Sequence, residues 1–290
     1  MAHYEILVGR FRSPFGYFVG KVSNQDLKLI INFWRKKMNT IRKAFLPLIL
    51  TLSVNLFADD HLQDSPTFLP LEGFACNYNA GKDMGDLRKV TEKWNDFVDE
   101  TDVQYNAWIF TPYFYSEEQT ADTYWIGVAP TWEELMRGAE IMASPKGQKI
   151  QAEFDKVSSC YDHTNWGLEI VRPSAELGDG MVTIQWCTLT EGTTPEQILA
   201  ADKKLNAFMD QGTSTGGISR WWPGSGIPSR FDADLLWVQS AESMTAWGRG
   251  ADQAVNGGGN QVAQQLYGEL MTCTNREVFM ADAVRISQQN

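Results

Sequence analysis

The side chains with the most reactive chemistry in this 290-residue chain are four cysteines, Cys76, Cys160, Cys187 and Cys273. Four thiols allow three disulfide pairings, and they could equally be metal ligands, free buried thiols or a nucleophile. None stands in a C-x-x-C arrangement, and the chain holds only three histidines, His3, His61 and His163. A structural zinc site needs four nitrogen or sulfur donors close together, so no metal is expected. His61 falls in the opening segment of the acidic body. His163 lies in Tyr161-Asp162-His163-Thr164, which reads as a surface loop. No serine nucleophile elbow, P-loop, dinucleotide fingerprint or H-E-x-x-H is present. Gly257-Gly258-Gly259 lacks the lysine and spacing of a phosphate-cradling loop and reads as a helix break.

The elements that must position these residues come twice. Cys76 aligns with Cys187, Gly81 with Gly192, Asn95 with Asn206, Phe97 with Phe208 and Pro112 with Pro223, all at an offset of 111. At 112, Asp122 aligns with Asp234, Trp125 with Trp237, and Arg137-Gly138-Ala139-Glu140 with Arg249-Gly250-Ala251-Asp252. At 113, Cys160 aligns with Cys273. A colinear series with so little drift indicates a duplicated unit.

One copy serves for both. Residues 74–78 read as a strand. From 83 to 100, Leu87, Val90, Trp94, Phe97 and Val98 recur at helical steps. Residues 104–115 and 123–128 read as strands, and Thr131 caps a helix over 132–143. Pro145 and Gly147 break it before a further helical piece to 157, and 166–171 closes the unit as a strand. In the second copy strands are expected near 181–189, 216–222, 233–239 and 277–286, with helices near 195–211, 242–254 and 260–271. Thr194-Pro195 is a cap followed by proline in the first turn. In the strand over 104–115, Tyr105, Ala107 and Ile109 point one way and Trp108 and Phe110 the other. Both faces are apolar, so both need cover.

The order β-α-β-β-α-β is the ferredoxin-like arrangement. Doubled in one chain, it resembles the dimeric α/β-barrel superfamily over residues 70–287, on element order and duplication rather than on a signature motif. The fold class expected is α+β, two tandem ferredoxin-like units packed sheet to sheet, covering 73–175 and 176–287. The superfamily includes cofactor-free monooxygenases, small stress proteins and haem enzymes such as chlorite dismutase. Its ligands sit between the sheet and its helices. A haem enzyme would need a proximal histidine; nothing beyond type recommends His163, and no cofactor is expected. The resemblance implies a pocket set of Asn95, Trp108, Trp125 and Arg137 with Asn206, Trp221, Trp237 and Arg249. The plainer reading makes the tryptophans core, the asparagines backbone braces and the arginines partners of surface carboxylates. In the split arrangement the last strand lies antiparallel beside the first. That places Cys76 near Cys160 and Cys187 near Cys273, and predicts those two disulfides.

Charge divides the chain. Residues 1–58 carry a net +7 and residues 59–290 a net −18. A body so acidic repels phosphate backbones, so nucleic acid is not an expected partner. Arg42-Lys43, the uncharged run from Ala44 to Ala58 and then Asp59-Asp60 form a signal-peptide pattern. The run is short for a membrane span and contains Pro47. Residues 38–58 are read as a cleaved signal, with an uncleaved anchor as the alternative. Met38 reads as the start and 1–37 as an over-extended frame, against a genuine extension. Residues 59–72 are expected to be flexible. A periplasmic or secreted location follows, with no membrane contact after cleavage, an oxidising compartment and oligomeric state left open. Three functions fit: binding of a small apolar or aromatic molecule, a cofactor-independent monooxygenase-like enzyme, or a structural or assembly protein. A closed pocket with one titratable group would favour the enzyme. A filled interior with exposed aromatic loops, such as Phe110–Tyr115 or Trp221–Gly226, would favour the scaffold.

Overall fold

The computed structural model describes residues 67–212 and 215–287. The expected extension 1–37, the signal-like segment 38–58 and residues 59–66, with His61, lie outside the described residues. In chain order the first half comprises β1 (Phe68–Tyr78), α1 (Met84–Asp99), β2 (Asn106–Phe114), β3 (Thr123–Val128), α2 (Trp132–Ala143), α3 (Pro145–Phe154) and β4 (Ser158–Arg172). The second comprises β5 (Gly180–Leu189), α4 (Pro195–Met209), β6 (Ile218–Pro223), β7 (Leu235–Ala241), α5 (Met244–Val255), α6 (Gly259–Tyr267) and β8 (Met271–Arg285). Among the described residues no helix is long and apolar enough to cross a membrane.

Local chemistry sets the helix ends. Asp83, Thr131, Ser144, Thr194 and Ser243 each accept a backbone N–H from the first turn of the helix that follows. Thr194 and Gln197 complete a reciprocal capping box. Gly258, at φ +80°, turns the chain from α5 into α6. This is the helix break expected of the glycine run.

The eight strands form one closed, wholly antiparallel barrel in the order β1-β3-β2-β8-β5-β7-β6-β4. Each half contributes a ferredoxin-like sheet. The halves do more than face each other; they join edge to edge, β2 to β8 and β4 to β6. The fifteen-residue strands make this possible. Ser158–Glu169 of β4 pairs with β1 while Trp166–Arg172 pairs with β6, and β8 divides itself likewise between β5 and β2. Closure leaves no free sheet edge.

Two local expectations change. Residues 68–72, expected to be flexible, are strand, and Leu71 is fully buried in the lumen. Pro70 argues against a strand in sequence, yet it precedes Leu71, where pairing to β3 begins, so its missing N–H disturbs no ladder there. Tyr161–Thr164, expected to be a loop, lies in β4, with His163 opposite Phe74. Its polar side chains read as loop, but pairing to β1 supplies the backbone hydrogen bonds.

The faces of β2 divide as its alternation requires. Trp108 and Phe110 enter the lumen with Leu71, Ile126, Trp166, Trp221, Leu236 and Phe279. Tyr105, Ala107 and Ile109 lie under the helices. The loop between β6 and β7 adds Phe231, whose ring meets Trp166 and Trp186 edge-on or tilted at 5.2 and 5.1 Å. The lumen is thus packed with apolar side chains, and two cavities lie outside it, between sheet and helices.

Candidate functional site

Both disulfides form as paired in sequence. Cys76 and Cys160 are direct cross-strand partners, as are Cys187 and Cys273, with Cα–Cα distances of 3.9 and 4.0 Å. Cys160 stands within β4 rather than before it. No cysteine thiol is free, and among the described residues no cluster of three metal-ligating groups occurs.

A cavity of about 720 Å³ lies between the first-half sheet and its helices. Leu87, Trp94 and Val98 of α1, Leu135, Ile141 and Met142 of α2, and Phe154 of α3 form its helical wall. Ile109 and Trp125 form the sheet wall with Tyr105, which precedes β2. Trp94 and Trp125 meet at 5.0 Å and 86°. Into this apolar setting runs a chain of hydrogen bonds. Trp125 Nε1 donates to Tyr105 Oη at 3.0 Å, and Tyr105 Oη donates to Glu72 Oε1 at 2.6 Å. Glu72 Oε2 lies 3.0 Å from His163 Nε2. The His163 ring stacks on Phe74 at 3.9 Å and faces solvent. Gly127 gives Tyr105 its place: a Cβ there would stand 1.5 Å from Oη. Burial raises the Tyr105 pKa well above its ordinary value, and the adjacent Glu72 carboxylate pushes it the same way. Tyr105 therefore stays a neutral donor. The chain connects the cavity to the surface, and Glu72 could accept a proton or an N–H from a molecule inside.

The second half has an equivalent cavity of about 490 Å³. Behind Tyr267, one of its lining residues, lies a buried charged set. Arg220 of β6 donates two hydrogen bonds to Glu169 of β4, at 2.9 and 2.6 Å, and two to Asp202 of α4, at 2.9 and 2.7 Å. Tyr267 Oη donates to Asp202 and Trp222 Nε1 to Glu169, both at 2.7 Å. Arg220 is 1% exposed. Burial opposes its charge, but the two carboxylates more than offset this and raise its pKa. Burial pushes the Tyr267 pKa up, and Asp202 adds to the effect.

The eight sequence-derived candidates are not brought together. Trp125 lines the first cavity, and Trp237 and Arg249 line the second. Trp108 and Trp221 lie in the barrel lumen, donating to the Gly178 carbonyl and to Ser219 Oγ. Arg137 is at the surface, bonded to Glu134 and the Asp102 carbonyl. Asn95 donates to the Val284 carbonyl and Asn206 to that of Val171, at 2.8 and 2.9 Å. Each asparagine therefore braces its helix to the strand that joins the two halves.

Glu72, Tyr105, Trp94 and Arg220 are absent from the sequence-derived set. Glu72 fell in the segment expected to be flexible. A recurrence search cannot find it, because its counterpart four residues before the second-half cysteine is Thr183. Arg220 does carry a signal, a charge centred in the apolar run Ile218-Ser219-Arg220-Trp221-Trp222.

A haem would need an axial donor aimed into the space. His163, the one histidine among the described residues, sits at the rim with Nε2 against Glu72. His163 therefore does not supply a histidine ligand aimed into the cavity.

No family model and no curated protein sequence matches the chain. Solved structures with a similar fold include a haem-binding protein from Thermus thermophilus, at 8% identity and TM-score 0.45, covering 74% of this chain and 91% of that one. A dye-decolorizing peroxidase from Bacteroides thetaiotaomicron has 10% identity and TM-score 0.44, covering 76% and 94%. A variant chlorite dismutase from Candidatus Nitrospira defluvii has 8% identity and TM-score 0.44, covering 77% and 94%. Strand order and duplicated register define the dimeric α/β-barrel fold independently of these likenesses.

Proposed function

We propose that the mature chain is an exported protein that binds a small apolar or aromatic molecule in the first-half cavity. The observation that carries this reading is a space of about 720 Å³ walled by Trp94, Trp125, Tyr105 and Phe154, within the size range of small-molecule sites. Apolar walls left against water are costly, and a bound apolar body removes that cost. Two disulfides and a signal-like leader support export.

The test uses the uncharged fluorescent probe N-phenyl-1-naphthylamine with two matched variants. Ala139→Trp sets an indole at the mouth of the first cavity and Ala251→Trp one in the second, since these residues line the two spaces at equivalent positions. Probe fluorescence should rise with the natural chain and with Ala251→Trp, and fail to rise with Ala139→Trp. Equal binding by Ala139→Trp would overturn the reading. N-terminal sequencing of the exported chain should begin at Asp59.

The scaffold reading also has a specific observation in its favour. The lumen is filled, and Tyr113, Phe114 and Tyr115 are exposed at the end of β2, with Phe114 5.7 Å from Trp247. If this tip docks another chain, Phe114→Ser should lower the sedimentation coefficient.

A further inference from the structure

We propose that the molecule taken up by the first cavity carries a cationic nitrogen, an amine or alkylated amine on an aromatic or aliphatic body, and that Glu72 binds it. This inference rests on the reading that the cavity holds a ligand, and it adds the chemistry of the head group.

Glu72 sets one end of the site. Its carboxylate is 19% exposed and accepts from Tyr105 and faces His163. Those contacts use two of the roughly four acceptor positions of a carboxylate. No Lys or Arg pairs with Glu72 among the described residues. The remaining lone pairs therefore suit a donor that comes with the ligand.

The surroundings select the sign of that donor. The carboxylates lining the cavity are Glu72, Asp155 and Asp162, beside His163 and with no Lys or Arg. Asp162 is already paired with Arg230; among the described residues Asp155 has no basic partner and Glu72 faces only His163. A ligand carboxylate would bring like charges together in a partly desolvated space. An ammonium group would make charge-assisted hydrogen bonds to Glu72, and the indoles of Trp94 and Trp125 offer it aromatic faces.

The second cavity shows that this is not a property of the fold or of the net −18 body. Its charged lining residues are Arg249 and Arg276, with no Asp or Glu among the described residues. Arg276 lies three residues beyond Cys273, as His163 lies three beyond Cys160. At the position matching Glu72 the second cavity has Thr183, so the acidic lining belongs to the first half alone.

The experiment compares three probes that share one ring system, 2-naphthylmethylamine, 2-naphthylmethanol and 2-naphthoate, by calorimetry. It uses Ala251→Trp, which sets an indole in the second cavity, with and without Glu72→Gln. The amine should bind roughly tenfold or more tighter than the alcohol, and the naphthoate weakest. Glu72→Gln still accepts from Tyr105, so the fold should persist, which circular dichroism checks. It should bring the amine down to the level of the alcohol and leave the alcohol unchanged. Equal binding of amine and alcohol, or an amine preference that survives Glu72→Gln and vanishes only in salt, overturns the assignment to Glu72 while leaving the cavity reading intact. Failure of every probe to bind removes both.

Discussion

The two halves share a backbone plan and differ in what fills the space between sheet and helices. Register makes the comparison residue by residue. Ile109 of β2 stands opposite Trp125 and Asp282; Arg220 of β6 stands opposite Trp237 and Glu169. Where the second half has Asp202 and Tyr267, the aligned residues of the first are Thr91 and Phe154. The second half thus carries a closed polar set at a depth where the first carries apolar groups and a larger cavity. A buried guanidinium is tolerable only when its donors are satisfied, and here two carboxylates, a tyrosine and a tryptophan complete the set together. Changes of this kind must come as a group. The first half, without them, has an apolar space with Glu72 bridging Tyr105 and His163 at its edge.

The largest effect should come from opening that set. Arg220→Ile, which installs the first-half residue, leaves Glu169 and Asp202 buried and uncompensated. It should cost about 3–5 kcal/mol of stability by urea unfolding. Adding Glu169→Gln, Asp202→Thr and Tyr267→Phe should restore most of the loss, because no buried carboxylate is then left uncompensated. Acid sharpens the contrast. Burial pushes the Glu169 pKa up, but its bonds to Arg220 outweigh this and hold it below the ordinary value. Stability from the pair is therefore full above the unfolded pKa of about 4.3 and is lost as pH falls through the lower folded value. In Arg220→Ile the sign reverses, since protonation relieves two unpaired buried carboxylates. The natural chain should weaken on acidification and the variant should recover.

Much of this architecture is legible in sequence, and the failures share a cause. Helix α1 is announced by apolar spacing, and α2 and α4 by the caps at Thr131 and Thr194. The cysteine pairing follows once the first and last strands of a unit are set side by side. What local pattern cannot convey is pairing between distant strands. β4 and β8 run beyond their expected limits because each serves two partners, and their polar ends read as loop. Glu72 was hidden by Pro70 and by the absence of any recurrence. The Arg220 set is assembled from four elements, so only its odd charge within an apolar strand is visible before folding.

The disulfides test whether the halves remain equivalent where they did not diverge. They close loops of similar length, with separations of 84 and 86 residues. In the chain-entropy description each contributes about 4.5 kcal/mol. Cys76→Ala with Cys160→Ala, and Cys187→Ala with Cys273→Ala, should therefore lower unfolding free energy by similar amounts. A large inequality would mean that strain or residual unfolded structure, rather than loop closure, governs one of them.

The smallest expected effect concerns the paired braces. Asn95 and Asn206 each tie the first helix of one half to the long strand closing the barrel against it, through one carbonyl. Each also buries its Oδ1 without a hydrogen-bond partner. Truncation to alanine loses a hydrogen bond and leaves a carbonyl unsatisfied, but it also removes the unpaired Oδ1. The net cost should be about 1 kcal/mol at either site. The two share no partner, so the double variant should show the sum. Thermal unfolding of the single and double variants checks both points. A cost confined to one half would show that the divergence seen in the cavities extends into the joints of the barrel itself.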